Sequence, residues 1–237
     1  MADTADFDID KVNREDDLRI GLPPLPFEPT SSAHLSLPHK YDRNDKFGLW
    51  QFEMLKGFGL SPESKILELG PGGGRLAIHL VPFLQPGGYA GLEVSRQGLD
   101  WLWDILPPED RARRPHLFWG GDFAVSELMP WSPDVILAHS VLTHLSWNEI
   151  GKCFYELRKV IADDGVFLPS YFRALGSPWE PQSYGKSGKK KSYGHKDPFH
   201  YRFEVLEQLA AETGWTAEHK DMTDHHKGQS LLMLRPR

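Results

Sequence analysis

The residues with the clearest chemical potential lie in one run, Glu68-Leu69-Gly70-Pro71-Gly72-Gly73-Gly74-Arg75-Leu76. An acid precedes glycines at alternating positions. A short apolar stretch (Lys65 to Leu69) leads in, and a stretch of helical spacing (Arg75 to Leu84) leads out. Glycines let the chain turn tightly and let a ligand approach the backbone without side-chain obstruction. In an open α/β sheet the ligand crevice lies beyond the carboxyl ends of the strands, so Gly70, Gly72 and Gly74 would form its floor. A dinucleotide fingerprint wants a further Gly or Ala where Arg75 stands, which counts against a nucleotide-dependent oxidoreductase.

Three further segments follow at the ends of later apolar runs. Gly91-Leu92-Glu93-Val94-Ser95 places an acid roughly twenty residues past the loop, where a carboxylate can accept both ribose hydroxyls. Glu93 could instead be a solvent-facing strand end, but its pairing with the loop favours the ligand role. Gly120-Gly121-Asp122-Phe123 is the next segment, and Ala138-His139-Ser140-Val141-Leu142-Thr143-His144-Leu145 the last.

The elements that must position these residues alternate. Strands are expected at Lys65–Leu69, Tyr89–Val94, His116–Trp119, Asp134–Ala138 and Val166–Leu168. Helices are expected at 75–84, 98–105 and 148–161, with an amphipathic helix over 47–58 before them. A helix over 203–211 and strands at 215–219 and 229–234 close the chain. The loop joining those last strands is too short for a parallel crossover, so the final strand must run antiparallel. The fold class this predicts is α/β: a three-layer α/β/α sandwich around a mostly parallel seven-stranded sheet with an antiparallel last strand.

Acid, glycine loop, second acid, Asp122 and the run after the fourth strand come in the order found in class I (Rossmann-like) S-adenosylmethionine (SAM) dependent methyltransferases. The stretch from about Lys65 to Leu234 resembles that family, of the small-molecule type. The resemblance implies SAM as cofactor and methyl transfer as activity. It implies that Glu68 and the backbone of Gly70, Gly72 and Gly74 face the methionine part. Glu93 would hold the ribose, Val94 pack on adenine, and Asp122 accept from the adenine amino group. Phe123 would lie against the base, and His139 near the sulfonium. Arg75 would approach the methionine carboxylate or stay solvated on its helix. No Asn-Pro-Pro-Tyr-like or Asp-Pro-Pro-Tyr-like tetrapeptide follows the fourth strand, so the branch that methylates amino groups of nucleic acids and proteins loses ground.

A methyl acceptor that carries a proton needs a base, and His serves near neutral pH. Topology opens three His-bearing segments on the ligand face: His139 and His144, then His225 and His226, then His195 and His200. His144 is the first candidate for general base and His226 the second, with His139 beside them. Each has a plainer alternative: His144 could orient the following helix, and His225 and His226 could be solvated loop residues. No spacing such as His-x3-His supports a metal, and none is expected.

Two flanking regions carry further expectations. Residues 1–46 read as an acidic tail followed by a proline-rich strap whose Leu22, Leu25 and Phe27 could pack on the body. Residues 47–237 form the methyltransferase domain, with 173–200 as a lid or insert lacking helical or strand period. The lid holds Lys186-Ser187-Gly188-Lys189-Lys190-Lys191, either a solvated run or a screen for an anionic substrate. Trp179, Tyr184 and Tyr193 could add flat apolar contact.

Composition bounds the partners. The chain has 237 residues and net charge -6, which disfavours a nucleic-acid surface. Its single cysteine, Cys153, excludes a disulfide framework and reads as a buried thiol. No apolar run is long enough to span a bilayer, and the acidic start lacks a signal-peptide pattern, so a cytoplasmic protein is expected. The function read from the sequence is methyl transfer from SAM to oxygen or nitrogen of a small molecule, an anionic or aromatic one among the candidates. An RNA or protein methyltransferase and a non-catalytic SAM-binding scaffold remain as alternatives.

Overall fold

Apolar runs of four or five residues become strands buried on both faces when helices cover both sides of a sheet. Ile66–Leu69 is such a strand, β2, with all four residues buried. The computed structural model describes residues 21–29, 43–185, 187–222, 225 and 227–237. The acidic tail before Gly21, Lys186 and His226 lie outside the described residues.

In chain order the elements are β1 (Leu25–Pro26), α1 (Lys46–Gly57), β2, α2 (Ala77–Phe83), β3 (Tyr89–Glu93), α3 (Arg96–Ile105) and α4 (Pro108–Arg111). Then follow β4 (His116–Trp119), β5 (Val135–Ala138), a 3-10 turn (Leu142–His144), α5 (Trp147–Arg158) and β6 (Val166–Arg173). The last are β7 (Gln182–Tyr184), β8 (Lys190–Ser192), β9 (His200–Tyr201), α6 (Phe203–Glu212), β10 (Trp215–Lys220) and β11 (Ser230–Pro236). Helix α3 begins two residues before the expected Gly98 because the Ser95 side chain caps it, accepting from Gly98 N–H at 3.2 Å.

The central sheet runs β4-β3-β2-β5-β6-β11-β10, and only β11 is antiparallel to its neighbours. Strand order reverses between β2 and β5, which puts the ligand crevice at their carboxyl ends. Leu67 and Leu69 of β2 join one core with Phe154 and Leu157 of α5 and Leu206 of α6. Ile66 joins the other with Leu55 of α1, Leu80 of α2 and Leu102 of α3. Period-two alternation thus feeds two cores, and the helices complete the expected three layers.

Two short strands extend the expected seven. The proline-rich strap supplies β1, antiparallel to the edge strand β4 with Leu25 opposite Trp119, and Phe27 N–H donates to Leu117 O at 2.8 Å. Proline is tolerated there because an edge strand need not donate from every residue. Phe27 packs on the body, but Leu22 and Leu25 stay exposed at 48% and 46%. The strap is held by main-chain pairing, by the Phe27 ring under Arg96, by Arg96 donating to Glu28 O at 3.0 Å and by the buried Pro24, with Leu22 and Leu25 taking little part. β9 adds a parallel pair to the end of β6.

Residues 173–200 differ from the irregular segment expected. They contain an antiparallel hairpin, β7 with β8, in the register Ser183 with Lys191. Lys189 and Lys191 are exposed, so the hairpin has no apolar alternation for a sequence reading to detect. His200 is consumed inside this segment: Nδ1 meets Ser192 Oγ at 3.1 Å and Nε2 meets Pro178 O at 3.0 Å. His195 is exposed against the Tyr193 ring. Cys153 is fully buried in α5, and burial pushes its thiol pKa well up.

Candidate functional site

The glycine loop leaves β2 at the switch point. Gly70, Gly72 and Gly74 all have positive φ, at 64°, 52° and 86°, which only glycine adopts freely. A Cβ on Gly70 would lie 2.8 Å from Val141 Cγ2, so the loop sits directly against the segment after β5. A Cβ on Gly72 would meet nothing within 4 Å; there the loop borders open space.

Glu93 is tied to this loop. Its Oε2 accepts from Gly72 N–H at 2.8 Å and its Oε1 from Ser95 N–H at 2.9 Å. Burial raises its pKa, and the backbone donors of Ser95, Gly72 and Val94 oppose that rise. Glu68 is also buried and accepts from Tyr89 Oη at 2.7 Å. Burial lifts its pKa to about 7; the tyrosine bond works against the rise, and the charge of Glu93 adds to it. Val94 is half-buried, and its carbonyl accepts the Trp119 indole N–H at 3.1 Å.

After β4, Asp122 is half-buried and its Oδ1 accepts from Ala124 N–H at 3.0 Å. Phe123 has φ 64°, and its ring is 7% exposed within the core that holds Leu67 and Leu92. That backbone turn carries the ring into the core.

His139 and His225 meet beside the loop, with their Nε2 atoms 2.7 Å apart and their rings stacked at 4.8 Å. His225 is buried, not a solvated loop residue. Its Nδ1 accepts from Lys227 N–H at 3.1 Å and from Gln229 N–H at 3.2 Å. The hydrogen of neutral His225 therefore sits on Nε2 and points at His139 Nε2, and neutral His139 carries its own hydrogen on Nδ1. Phe47 and Trp50 of α1 meet both imidazoles edge-on, between 5.1 and 6.1 Å. Helix α1 can lie this close because Gly48 has no side chain: a Cβ there would fall 2.6 Å from Arg75 O. Arg75 lies over Phe47 at 5.4 Å, with its Nε 3.4 Å from Asp45 Oδ1.

Ser140, at φ 58°, begins a polar network. Its N–H donates to Ser170 Oγ at 2.7 Å, and Ser170 Oγ donates to Gln229 Oε1 at 2.6 Å. Ser140 Oγ also donates to Gln229 Oε1, at 3.1 Å. Neither Ser170 nor Gln229 stands out in the sequence, because their chemistry arises only when β5, β6 and β11 pair.

His144 is the exposed last residue of the 3-10 turn, whose Leu142 and Thr143 are buried. Its Nδ1 is 2.8 Å from Asp197 Oδ1, which comes from the far end of the 173–200 segment. His144 does not cap α5; Ser146 and Glu149 form that helix's reciprocal capping box. The segment is docked here by Phe199 N–H donating to Thr143 O at 2.7 Å and by Tyr201 Oη donating to Leu145 O at 2.6 Å. Asp197 was not singled out by sequence reading, since nothing local links it to a residue so far upstream.

Among the described residues no three metal-ligating side chains gather, and no helix is long and apolar enough to cross a membrane.

The sequence matches no family model. Solved structures do share the architecture. The glycopeptide N-methyltransferase MtfA complexed with S-adenosyl-L-homocysteine (SAH) aligns with a TM-score of 0.57 at 14% identity, over 79% of this chain and 86% of that one. Magnesium protoporphyrin IX methyltransferase (ChlM) from Synechocystis PCC 6803 with bound SAM aligns at 0.54 and 13%, over 81% and 78%. DesVI of Streptomyces venezuelae aligns at 0.57 and 15%, over 82% and 94%. The chain has the fold of the class I, Rossmann-like SAM-dependent methyltransferases.

Proposed function

We propose that this protein transfers a methyl group from SAM to an oxygen or nitrogen of a small molecule. The observation that carries the reading is the hydrogen bond from Gly72 N–H to Glu93, which sets a buried carboxylate at a strand end against a glycine loop bordering open space. That arrangement fits an adenosyl group: Glu93 to hold ribose hydroxyls, Val94 and Asp122 to hold adenine, Glu68 and the Gly70–Gly74 backbone to face the methionine part. The structural neighbours described with SAM or SAH support the same cofactor. When bound, SAM supplies an electrophilic methyl group. The protein's part is to align the acceptor, exclude water and handle the acceptor's proton.

His144 suits the proton. With the hydrogen on Nδ1 directed to Asp197, its Nε2 lone pair is left to accept, and Asp197 steadies the imidazolium that forms. His139 has the opposite character, since its Nε2 lone pair is engaged by His225 and Nδ1 presents a hydrogen. That engagement leaves the His144–Asp197 pair as the better-placed base. His226, the second base candidate from the sequence, lies outside the described residues. Residues 173–200 act as the lid over this face, and 1–46 as a tail and strap joined to the 47–237 domain.

Calorimetric titration with SAM, SAH and NAD tests the reading. Micromolar binding of SAM and SAH, lost in Glu93→Ala and absent for NAD, is the expected result. A preference for NAD, or no binding of either adenosyl ligand, overturns it. Binding without turnover across a broad acceptor screen would favour a scaffold.

A further inference from the structure

A cavity of about 300 Å³ opens at the carboxyl end of β6, lined by Arg173, Asp221, Met222, Gly228, Gln229 and Ser230 among others. It adjoins the site already described through Gln229. That side chain bonds Ser140 and Ser170, and its backbone N–H donates to His225. We propose that this cavity receives the anionic group, a carboxylate or phosphate, of the methyl acceptor, with Arg173 as its recognition residue. The proposal rests on the methyltransferase reading for the word acceptor, but the binding site itself does not.

The hydrogen-bond inventory is what points to an anion. Gln229 is 2% exposed and its Oε1 accepts from two serine hydroxyls. The oxygen is therefore spent on the wall of the site, and the group Gln229 has left to offer is its NH2. Arg173 has a conflict to resolve. His219 Nε2 lies 2.8 Å from Asp221 Oδ1 and 3.1 Å from Arg173 Nη1. One ring nitrogen can serve an acceptor or a donor, not both. Tyr171 Oη, 2.8 Å from His219 Nδ1, can donate there, which leaves the hydrogen of His219 on Nε2. The shorter contact, to the carboxylate, then takes that hydrogen. Arg173 is left opposite an N–H, with its planar donor fork at the cavity it lines. Asp221 accepts from His219 through one oxygen and is well exposed, so its carboxylate is the repelling element of a lining whose Arg173 and Gln229 offer donors.

The electrostatic surroundings agree. Lys227 precedes Gly228 of the cavity wall, and its carbonyl accepts from Gly185 N–H of the hairpin at 3.2 Å. Burial and the nearby charges of Lys190 and Arg75 hold the Lys227 pKa below its ordinary value. Those cations put a positive field on the same face, and an arriving anion lowers its energy. Lys190 of the lysine run thus contributes to the field, while the contact falls to a residue that sequence reading passed over.

The test uses the full-length protein saturated with SAH. Benzoate and phenyl phosphate are titrated against wild type, Arg173→Gln and Asp221→Asn, with neutral benzamide as control and binding followed by NMR shifts of the protein. At least one of the two anions should bind the wild type, and which one binds names the group. Arg173→Gln should weaken it by about tenfold or more. Asp221→Asn should tighten it severalfold, because a repelling carboxylate at a well-exposed position becomes neutral, and this variant carries little folding risk. No binding of either anion, equal affinity in Arg173→Gln, unchanged or weaker affinity in Asp221→Asn, or equal binding of benzamide would each overturn the proposal. SAH affinity is read in the same samples. Loss of SAH binding in the wild type defeats the methyltransferase reading while leaving the anion result to stand or fall alone.

Discussion

Tyr89 Oη donates to Glu68 Oε2 at 2.7 Å, joining two neighbouring parallel strands immediately beneath the glycine loop. The pair is buried, so the tyrosine stays protonated and the carboxyl group holds its proton to unusually high pH. Glu68 is thus a titrating group inside the floor of the candidate cofactor site.

This has a consequence for stability. The folded-state pKa of Glu68, about 7, lies above its ordinary value of 4.5, so the folded protein binds that proton more tightly than the unfolded chain does. The contribution is complete below the unfolded value and is lost as pH rises through 7. It amounts to roughly 3 kcal/mol at most. Urea denaturation between pH 5 and 8 should show stability falling across that window, and Glu68→Gln should flatten the fall. A wild-type profile already flat there would contradict it.

Glu93→Ala should cost more than cofactor affinity. It leaves the N–H groups of Gly72 and Ser95 without their acceptor, at about 1–3 kcal/mol each where buried. Thermal melting should therefore show a lower Tm even without ligand. Glu93→Gln retains one acceptor oxygen and should fall between.

For the proposed base, His144→Gln and Asp197→Asn should both lower kcat. The histidine variant should lose about a hundredfold or more, with SAH affinity unchanged. Stopped assays on an identified acceptor decide this. A kcat unchanged from wild type in both variants would move the proton-transfer role elsewhere.

Gly48→Val introduces a side chain where a Cβ already falls 2.6 Å from Arg75 O. Helix α1 must shift, at about 1–3 kcal/mol, and carry Phe47 and Trp50 away from His139 and His225. Chemical denaturation measures the loss, and tryptophan fluorescence should report the displaced Trp50.

Much of the molecule follows from local pattern. The helices expected over 47–58 and 148–161, found at Lys46–Gly57 and Trp147–Arg158, and the strands of the central sheet are set by apolar period and by the turn residues between them. Those signals act within a turn or two of chain. Glu68, the glycines and Glu93 were legible for the same reason, because loop and acid recur at fixed spacing around one βαβ unit. The hairpin in 173–200 was not, since its exposed lysines carry no alternation. The strap's edge pairing was not, since main-chain bonds leave no mark on residue type.

The sequence by itself determined the layer order, the glycine loop with its acids, and the antiparallel last strand, which a short connection forces. Only the tertiary structure decided which histidines meet: His139 with His225, His144 with Asp197, and His219 between Arg173 and Asp221. Except for Asp221, each partner comes from a different element, brought in by strand pairing or by docking of the 173–200 segment. A histidine's role depends on which of its nitrogens carries the hydrogen, and that is settled by neighbours distant in the chain.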